Sequence, residues 1–339
     1  MLQVGLVGTG IISREHVRAI AHHPQCTLVG VADVVSERAR QAAEQYRRHR
    51  ACAGKRDEEP RPFASAAEML GQLPLDVVVV AVPHGLHEEV AIAALRAGAH
   101  VFVEKPLAPT RAACDAILEE AAKMGRQVAV GHVMRYFPEI RTAREVVAAG
   151  TIGAVVSVVE VRHAEYFVNT RPRWFFDREL AGGGVLMTQG VHSVDKVQFV
   201  TGRRVLRVSG RAWYREDLGL EVAGGLWLEL DGGVTATIVQ SGYRGAPRHE
   251  IEVIGTRGRL RAEWGHGVSV TTSDAGYEPV PLHDGGGDPY QAQWDAFVAS
   301  LLEGREVPVP GTYGRQVVSV IEAFYASSRT GGSWVSIET

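Results

Sequence analysis

The strongest constraint on the fold lies within the first thirteen residues. An apolar run, Leu2–Val7, enters Gly8-Thr9-Gly10-Ile11-Ile12-Ser13 and then a stretch of helical period. A strand that turns into a helix over a glycine-rich loop opens a parallel α/β unit. The first glycine permits the tight turn, and the second lets backbone amides approach a pyrophosphate at the positive helix end. Ser13 replaces the usual third glycine but is still small enough for close helix–strand packing. A second apolar run, residues 28–32, ends at Asp33, 20 residues beyond Ser13. There a carboxylate accepts from an adenosine ribose hydroxyl. A dinucleotide is therefore expected on Gly8, Gly10, Ile11, Ile12 and Asp33. Asp33 repels a 2′-phosphate and favours NAD, while Arg38, little more than a helical turn on, leaves NADP open.

The texture of the chain divides it in two. Through residue 131, nearly continuous apolar runs (77–82, 100–103, 127–130) alternate with Ala-, Glu- and Arg-rich helical stretches. That pattern is a parallel sheet covered on both faces. Beyond it, a helix is expected over 138–149. It is followed by period-2 strands at 154–163, 204–214, 225–230, 234–240 and 250–254, then helices at 290–303 and 313–328. The expected organisation is α/β, with a Rossmann dinucleotide-binding domain at 1–131. An α+β domain at 132–339 would carry substrate binding and oligomerisation on a large, mostly antiparallel, open-faced sheet. Apolar residues expected on that open face, Trp227, Leu228, Val234, Thr235 and Ile238, predict pairing with another copy as a homodimer or homotetramer. The mixed stretch from Tyr46 to Pro62, with Lys55, Arg56, Asp57 and Glu58, reads as a helix end and a solvated loop.

Composition removes several function classes. The 339 residues carry 36 Lys plus Arg against 39 Asp plus Glu, a net charge of −3, so no general electrostatic pull toward nucleic acid or an anionic membrane is expected. No run approaches the roughly 18 apolar residues of a membrane span. The N-terminus has no basic leader, and Cys26, Cys52 and Cys114 show no paired or metal-ligand spacing. The expected setting is a reducing cytoplasm, with no metal.

Four elements in order carry a resemblance to a known family. They are the glycine-rich turn with Asp33, Val82-Pro83-His84-Gly85-Leu86-His87, Glu104-Lys105-Pro106, and the segment from Gly182-Gly183-Gly184 through Thr188 and His192 to Asp195. The chain resembles the Gfo/Idh/MocA oxidoreductases, which include glucose–fructose oxidoreductase and inositol dehydrogenases. The resemblance implies hydride transfer between nicotinamide C4 and a hydroxyl carbon of a sugar, inositol or related small molecule. Such chemistry needs a group that moves the hydroxyl proton, and the resemblance assigns it to Lys105 with His192. It also implies a cis Lys105–Pro106 bond and places Pro83, His87, Glu104 and Lys105 at the cofactor. Many relatives carry aspartate where this chain has Thr188. A threonine there hydrogen-bonds but is no carboxylate base, which leaves the substrate class open. Asp195 is read as an orienting group or a helix-surface carboxylate, and Arg135 and Tyr136 as cleft residues. His84, Tyr166, Trp174 and Tyr243 are weaker candidates. Two other activities fit the same pattern: a retained-NAD glycosidase and a ligand-sensing regulator without catalysis.

Overall fold

The computed structural model describes residues 1–54, 59–168, 170–283 and 287–338. Lys55, Arg56, Asp57 and Glu58 of the mixed stretch lie outside the described residues. The chain forms two compact units, Met1–Gly131 with Tyr290–Arg315, and His132–Pro289 with Gln316–Thr339. Residues 290–315, which the sequence assigns to the second domain, join the first instead. The reason is aromatic packing. Trp294 and Phe297, on a helix spanning Pro289–Leu302, meet the Phe102 ring edge-on at 5.9 and 5.3 Å between centroids. Val130 N also donates to Val309 O at 2.9 Å.

Among the described residues the first unit contains six parallel strands: β1 (Leu2–Val7), β2 (Cys26–Ala32), β3 (Arg61–Phe63), β4 (Val77–Val80), β5 (His100–Val103) and β6 (Val128–Val130). Their order is β3-β2-β1-β4-β5-β6. The short β3 has no clear apolar period and is not foreseen in the sequence. The connecting helices cover both faces, so all four valines of β4 are fully buried. The order reverses between β1 and β4, and the carboxyl ends of those strands are where such sheets bind ligands.

The second unit holds β7 (Val155–His163), β8 (Val205–Arg215), β9 (Leu220–Leu230), β10 (Thr235–Ser241), β11 (Arg248–Gly255), β12 (Arg259–Glu263), β13 (Gly267–Thr271), β14 (Glu278–Val280) and β15 (Val335–Ser336). They form one sheet in the order β14-β13-β12-β11-β7-β10-β9-β8-β15, antiparallel except for the β7–β10 pair. One face packs on the helices Pro138–Ala148 and Val191–Thr201. The other carries Trp213, Trp227, Val239 and Trp334 toward solvent. This corrects the expected patch. Trp227 is 58% exposed, but Leu228, Val234 and Ile238 are buried and Thr235 is half-buried. A strand's period of two sends Leu228 to the face opposite Trp227. Among the described residues no helix is long and apolar enough to cross a membrane.

Candidate active site

At the end of β1, Gly8 has φ +90°, and a Cβ there would lie 2.5 Å from the Ala81 carbonyl oxygen. Only glycine satisfies both conditions. Gly10 is open, with nothing within 4 Å of a would-be Cβ, so its backbone is approachable. Ser13 Oγ donates to Gly10 O at 2.6 Å, which explains serine in the third position: it closes the turn. Asp33 accepts at Oδ2 from Thr9 N (2.8 Å) and Thr9 Oγ1 (2.7 Å), and at Oδ1 from Val35 N (2.8 Å). The carboxylate thus ties the glycine-rich turn to the end of β2. Ile11 is exposed and Ile12 half-buried. An open glycine backbone at a helix N-terminus beside a fixed carboxylate fits the pyrophosphate and ribose of NAD.

Lys105 follows β5 at the same carboxyl edge, and its bond to Pro106 is cis. Glu104 braces it from below. His16 Nε2 lies 2.7 Å from Glu104 Oε1, and Lys105 N donates to Glu104 Oε2 at 3.2 Å. Gly131 leaves room for this carboxylate, since a Cβ there would come within 3.0 Å of Oε1. Burial pushes the Glu104 carboxyl up, but the His16 hydrogen bond and the charges of His16 and Lys105 prevail and hold it below the usual range.

His87 departs from expectation. It is fully buried, with Nδ1 2.9 Å from Pro106 O and Nε2 3.0 Å from Val82 O. Burial holds the ring below its usual pKa, hence neutral, so its one N–H serves one carbonyl at a time. It buttresses the backbone on either side of Pro83 and Lys105 instead of presenting its ring to a cofactor. His84 is also buried, its ring edge-on to that of His87.

In the second unit, the glycine segment opens the helix that carries Thr188 and His192. A buried carboxylate on β9, Glu221, holds that opening. Its Oε2 accepts from Gly184 N at 2.8 Å, and its Oε1 accepts from Leu186 N at 3.0 Å and Tyr325 Oη at 2.7 Å. A negative group on the first free amides of a helix is the arrangement the helix dipole favours. Residues Leu186–Gly190 then form one π-helical turn before the regular helix Val191–Thr201. The sequence predicts a plain helix over 185–200. The wider turn is the kind that accompanies functional sites.

Thr188 is buried in the π turn and donates from Oγ1 to Gly184 O at 2.9 Å. His192 is 7% exposed, its ring edge-on to His132 at 6.2 Å between centroids. Asp195 is completely buried and its Oδ1 accepts from Arg135 Nε at 2.7 Å, so it is no surface carboxylate. Burial pushes the neighbouring Tyr136 phenol up to about 12. Tyr166 is fully buried under the Arg171 guanidinium, Trp174 stacks on Phe175, and Tyr243 is exposed. Glu221 and His16 were missed in the sequence. The one hint of Glu221 is an acidic residue inside an otherwise apolar run, and nothing in the sequence pairs His16 with Glu104. Among the described residues no group of three or more His, Cys, Asp or Glu side chains is arranged to hold a metal.

Comparison with known proteins agrees with this geometry. Residues 2–132 match the family described as "Oxidoreductase family, NAD-binding Rossmann fold", and residues 140–261 match the "GFO/IDH/MocA C-terminal domain". Inositol 2-dehydrogenase 1 of Saccharopolyspora erythraea is 32% identical over 255 residues, covering 71% of this chain and 69% of that protein. The crystal structure of aldose-aldose oxidoreductase from Caulobacter crescentus complexed with glycerol superposes with a TM-score of 0.85 at 25% identity, covering 99% of both chains. An oxidoreductase domain protein from Kribbella flavida gives a TM-score of 0.87 at 26% identity, covering 100% of this chain and 99% of that one. With both domains matched and the dinucleotide turn intact, the chain belongs to the GFO/IDH/MocA family of NAD-binding oxidoreductases.

Proposed function

We propose that the protein is an NAD-dependent dehydrogenase acting on a secondary hydroxyl of a sugar, inositol or related polyol, with Lys105 and His192 as the proton-transfer groups. The observation that carries this reading is the bracing of Lys105. A buried carboxylate, itself held by His16, fixes the lysine backbone at the sheet edge that carries the dinucleotide turn. Bound NAD supplies the two-electron acceptor. As the carbon–hydrogen bond gives up its electron pair, the C=O bond forms and the hydroxyl proton must leave. Lys105 Nζ holds the substrate oxygen and His192 receives that proton, a division suited to an imidazole near neutral pH. Thr188 supplies no carboxylate, and its buried hydroxyl donates to Gly184 O, so the relay rests on the lysine and histidine alone. The cofactor contacts assigned to Gly8, Gly10, Ile11, Ile12, Asp33, Pro83 and Glu104 belong to the same proposal, with NAD preferred over NADP. So do a cytoplasmic setting and pairing of two copies through the open sheet face.

The test is NADH formation across a panel of sugars, inositols and sugar acids, run with Lys105→Met and His192→Asn. Each variant is expected to lose about 10²- to 10⁴-fold in kcat with cofactor affinity retained, the span typical of a removed acid–base group. Turnover that survives both substitutions would sink the assignment. An inert wild type that still releases NAD on denaturation would point to the retained-cofactor or sensing activities.

A further inference from the structure

A second histidine backs His192 within the same unit. His132 is buried at the start of the short helix Val133–Tyr136, and its ring meets that of His192 at an interplanar angle of 87°. An ion pair fixes this contact. Arg135 Nε and Nη2 each lie 2.7 Å from Asp195 Oδ1, and the same guanidinium lies over the Phe199 ring at 5.0 Å. Arg135 comes three residues after His132, and Asp195 three residues after His192. At that spacing both members of each pair share one helix face, so the two helices meet through the rings and again, one turn along, through the charges.

The two oxygens of Asp195 have different neighbours. Oδ1 is taken by Arg135, while Oδ2 lies 3.9 Å from His132 Nδ1. That separation is too long for a hydrogen bond, but in a buried site a negative oxygen at this distance favours the hydrogen of a neutral imidazole on the nearer nitrogen. His132 then carries N–H at Nδ1 and a lone pair at Nε2, with its dipole running from the carboxylate toward its neighbour. His192 turns its Nδ1 into the sealed interior that His132 also occupies. An electron-rich ring there stabilises a hydrogen on Nδ1, and a neutral imidazole with hydrogen on Nδ1 has a bare Nε2. A bare nitrogen is what a base needs. Once Nε2 has taken the hydroxyl proton, both His192 nitrogens carry hydrogen and the ring holds one positive charge. The Asp195–His132 dipole already presents its negative end to that charge.

We infer that His132 is the positioning residue of the proposed proton transfer: aligned by Asp195, it keeps His192 in the tautomer with hydrogen on Nδ1 and Nε2 open to the substrate hydroxyl. This deepens the preceding reading and rests on it for the reaction.

The experiment reads the tautomer directly, from proton–nitrogen correlation spectra of the full chain carrying isotopically labelled histidine, at a pH above the imidazole range. The signal missing from His192→Asn identifies His192. It is expected as the Nδ1–H form in the wild type. His132→Phe keeps a ring and removes both nitrogens, and should convert His192 toward the Nε2–H form. His132→Gln can still donate to Asp195 and offer an oxygen to His192, and should retain the Nδ1–H form in part. In turnover, His132→Phe should lose about 10- to 100-fold in kcat with KM and NAD affinity unchanged, the span typical when the group that orients an imidazole is removed. In the His192→Asn background the same substitution should cost nothing further, because it acts through His192. An Nε2–H ring in the wild type overturns the inference, whether or not the variants fold. So does an unchanged tautomer in His132→Phe, or an equal loss of kcat in both backgrounds, which is what a merely structural histidine would give. Turnover that survives His192→Asn would refute the proton-transfer reading and leave the tautomer assignment to be decided by the spectra alone.

Discussion

Replacing Glu221 with glutamine tests whether the site is held from the sheet side. Three donors converge on its two oxygens: Gly184 N on Oε2, and Leu186 N with Tyr325 Oη on Oε1. Burial and the Glu221 charge push the Tyr325 phenol well above its ordinary pKa, so it stays protonated and donates. Glutamine has one acceptor oxygen. Set toward Leu186 and Tyr325, it keeps two bonds at neutral strength and turns its NH₂ against the Gly184 N–H. The loss comprises one charge-assisted bond, one orphaned buried amide and the weakening of two further bonds, together about 4 kcal/mol. For a unit of this size, roughly 2–4 °C of melting temperature accompanies each kcal/mol, so Glu221→Gln should lower the transition of the second unit by roughly 8–16 °C. Calorimetry reads this shift directly. Tyr325→Phe removes one donor and leaves the carboxylate, so its expected cost is only about 1 kcal/mol. Because Gly184 and Leu186 lead into the turn that carries Thr188, kcat should fall in Glu221→Gln while NAD binding is unchanged. If Glu221→Gln melted within about one kcal/mol of wild type, or no lower than Tyr325→Phe, the capping argument would be wrong.

Other expectations follow from the first unit and the open sheet face. Asp33→Ser removes the carboxylate that would repel a 2′-phosphate and also loosens Thr9. The kcat/KM ratio of NADP to NAD should rise about tenfold or more, and an unchanged ratio would remove Asp33 from the cofactor site. Glu104 sits below its ordinary value of 4.5 in the folded protein. It is therefore still ionised when its unfolded counterpart takes up a proton, so its stabilisation is complete above that value and is lost as pH falls through the folded pKa. The stability gap between wild type and Glu104→Gln should be flat from neutral pH to about 5 and close only below about 4.5. A gap that already closed above about pH 5 would mean that Glu104 is not held below the ordinary carboxylate range. Trp227→Glu puts a charge among the exposed tryptophans of the open face. Sedimentation should show that it shifts an assembly of copies toward monomer, and a wild type that sediments as a monomer would end that proposal.

The parts of this protein legible in its sequence are those whose cause is local. A glycine-rich turn between strand and helix, buried valine runs and an acidic strand end each act over a few residues, and β1, β2, β4, β5 and β6 follow from them. The helix Pro289–Leu302 was misassigned because its destination is set by Trp294 and Phe297 meeting Phe102, almost two hundred positions away. The open-face patch was misjudged for a different reason. The apolar content of β9 and β10 is divided between two faces by strand alternation, which buries Leu228 and exposes Trp227.

The triple glycine shows how far a motif can be right in place and incomplete in cause. Read as a string, Gly182-Gly183-Gly184 opens a helix. In the fold, each glycine answers a separate constraint. Gly182 has φ +75° and ends the short turn Arg178–Ala181. Gly183 leaves room for the Tyr325 hydroxyl, which would otherwise lie 2.5 Å from its Cβ. Gly184 passes so close to β9 that a Cβ would sit 2.0 Å from the Glu221 carbonyl oxygen. Two of these three constraints come from residues more than thirty-five positions away, and both involve the Glu221–Tyr325 pair. The close approach is also what lets the Glu221 side chain reach the amides of Gly184 and Leu186. Gly184→Ala should therefore act through the same anchor as Glu221→Gln: it leaves the carboxylate intact but forces the strand and the glycine segment apart, so the two losses in stability should not add.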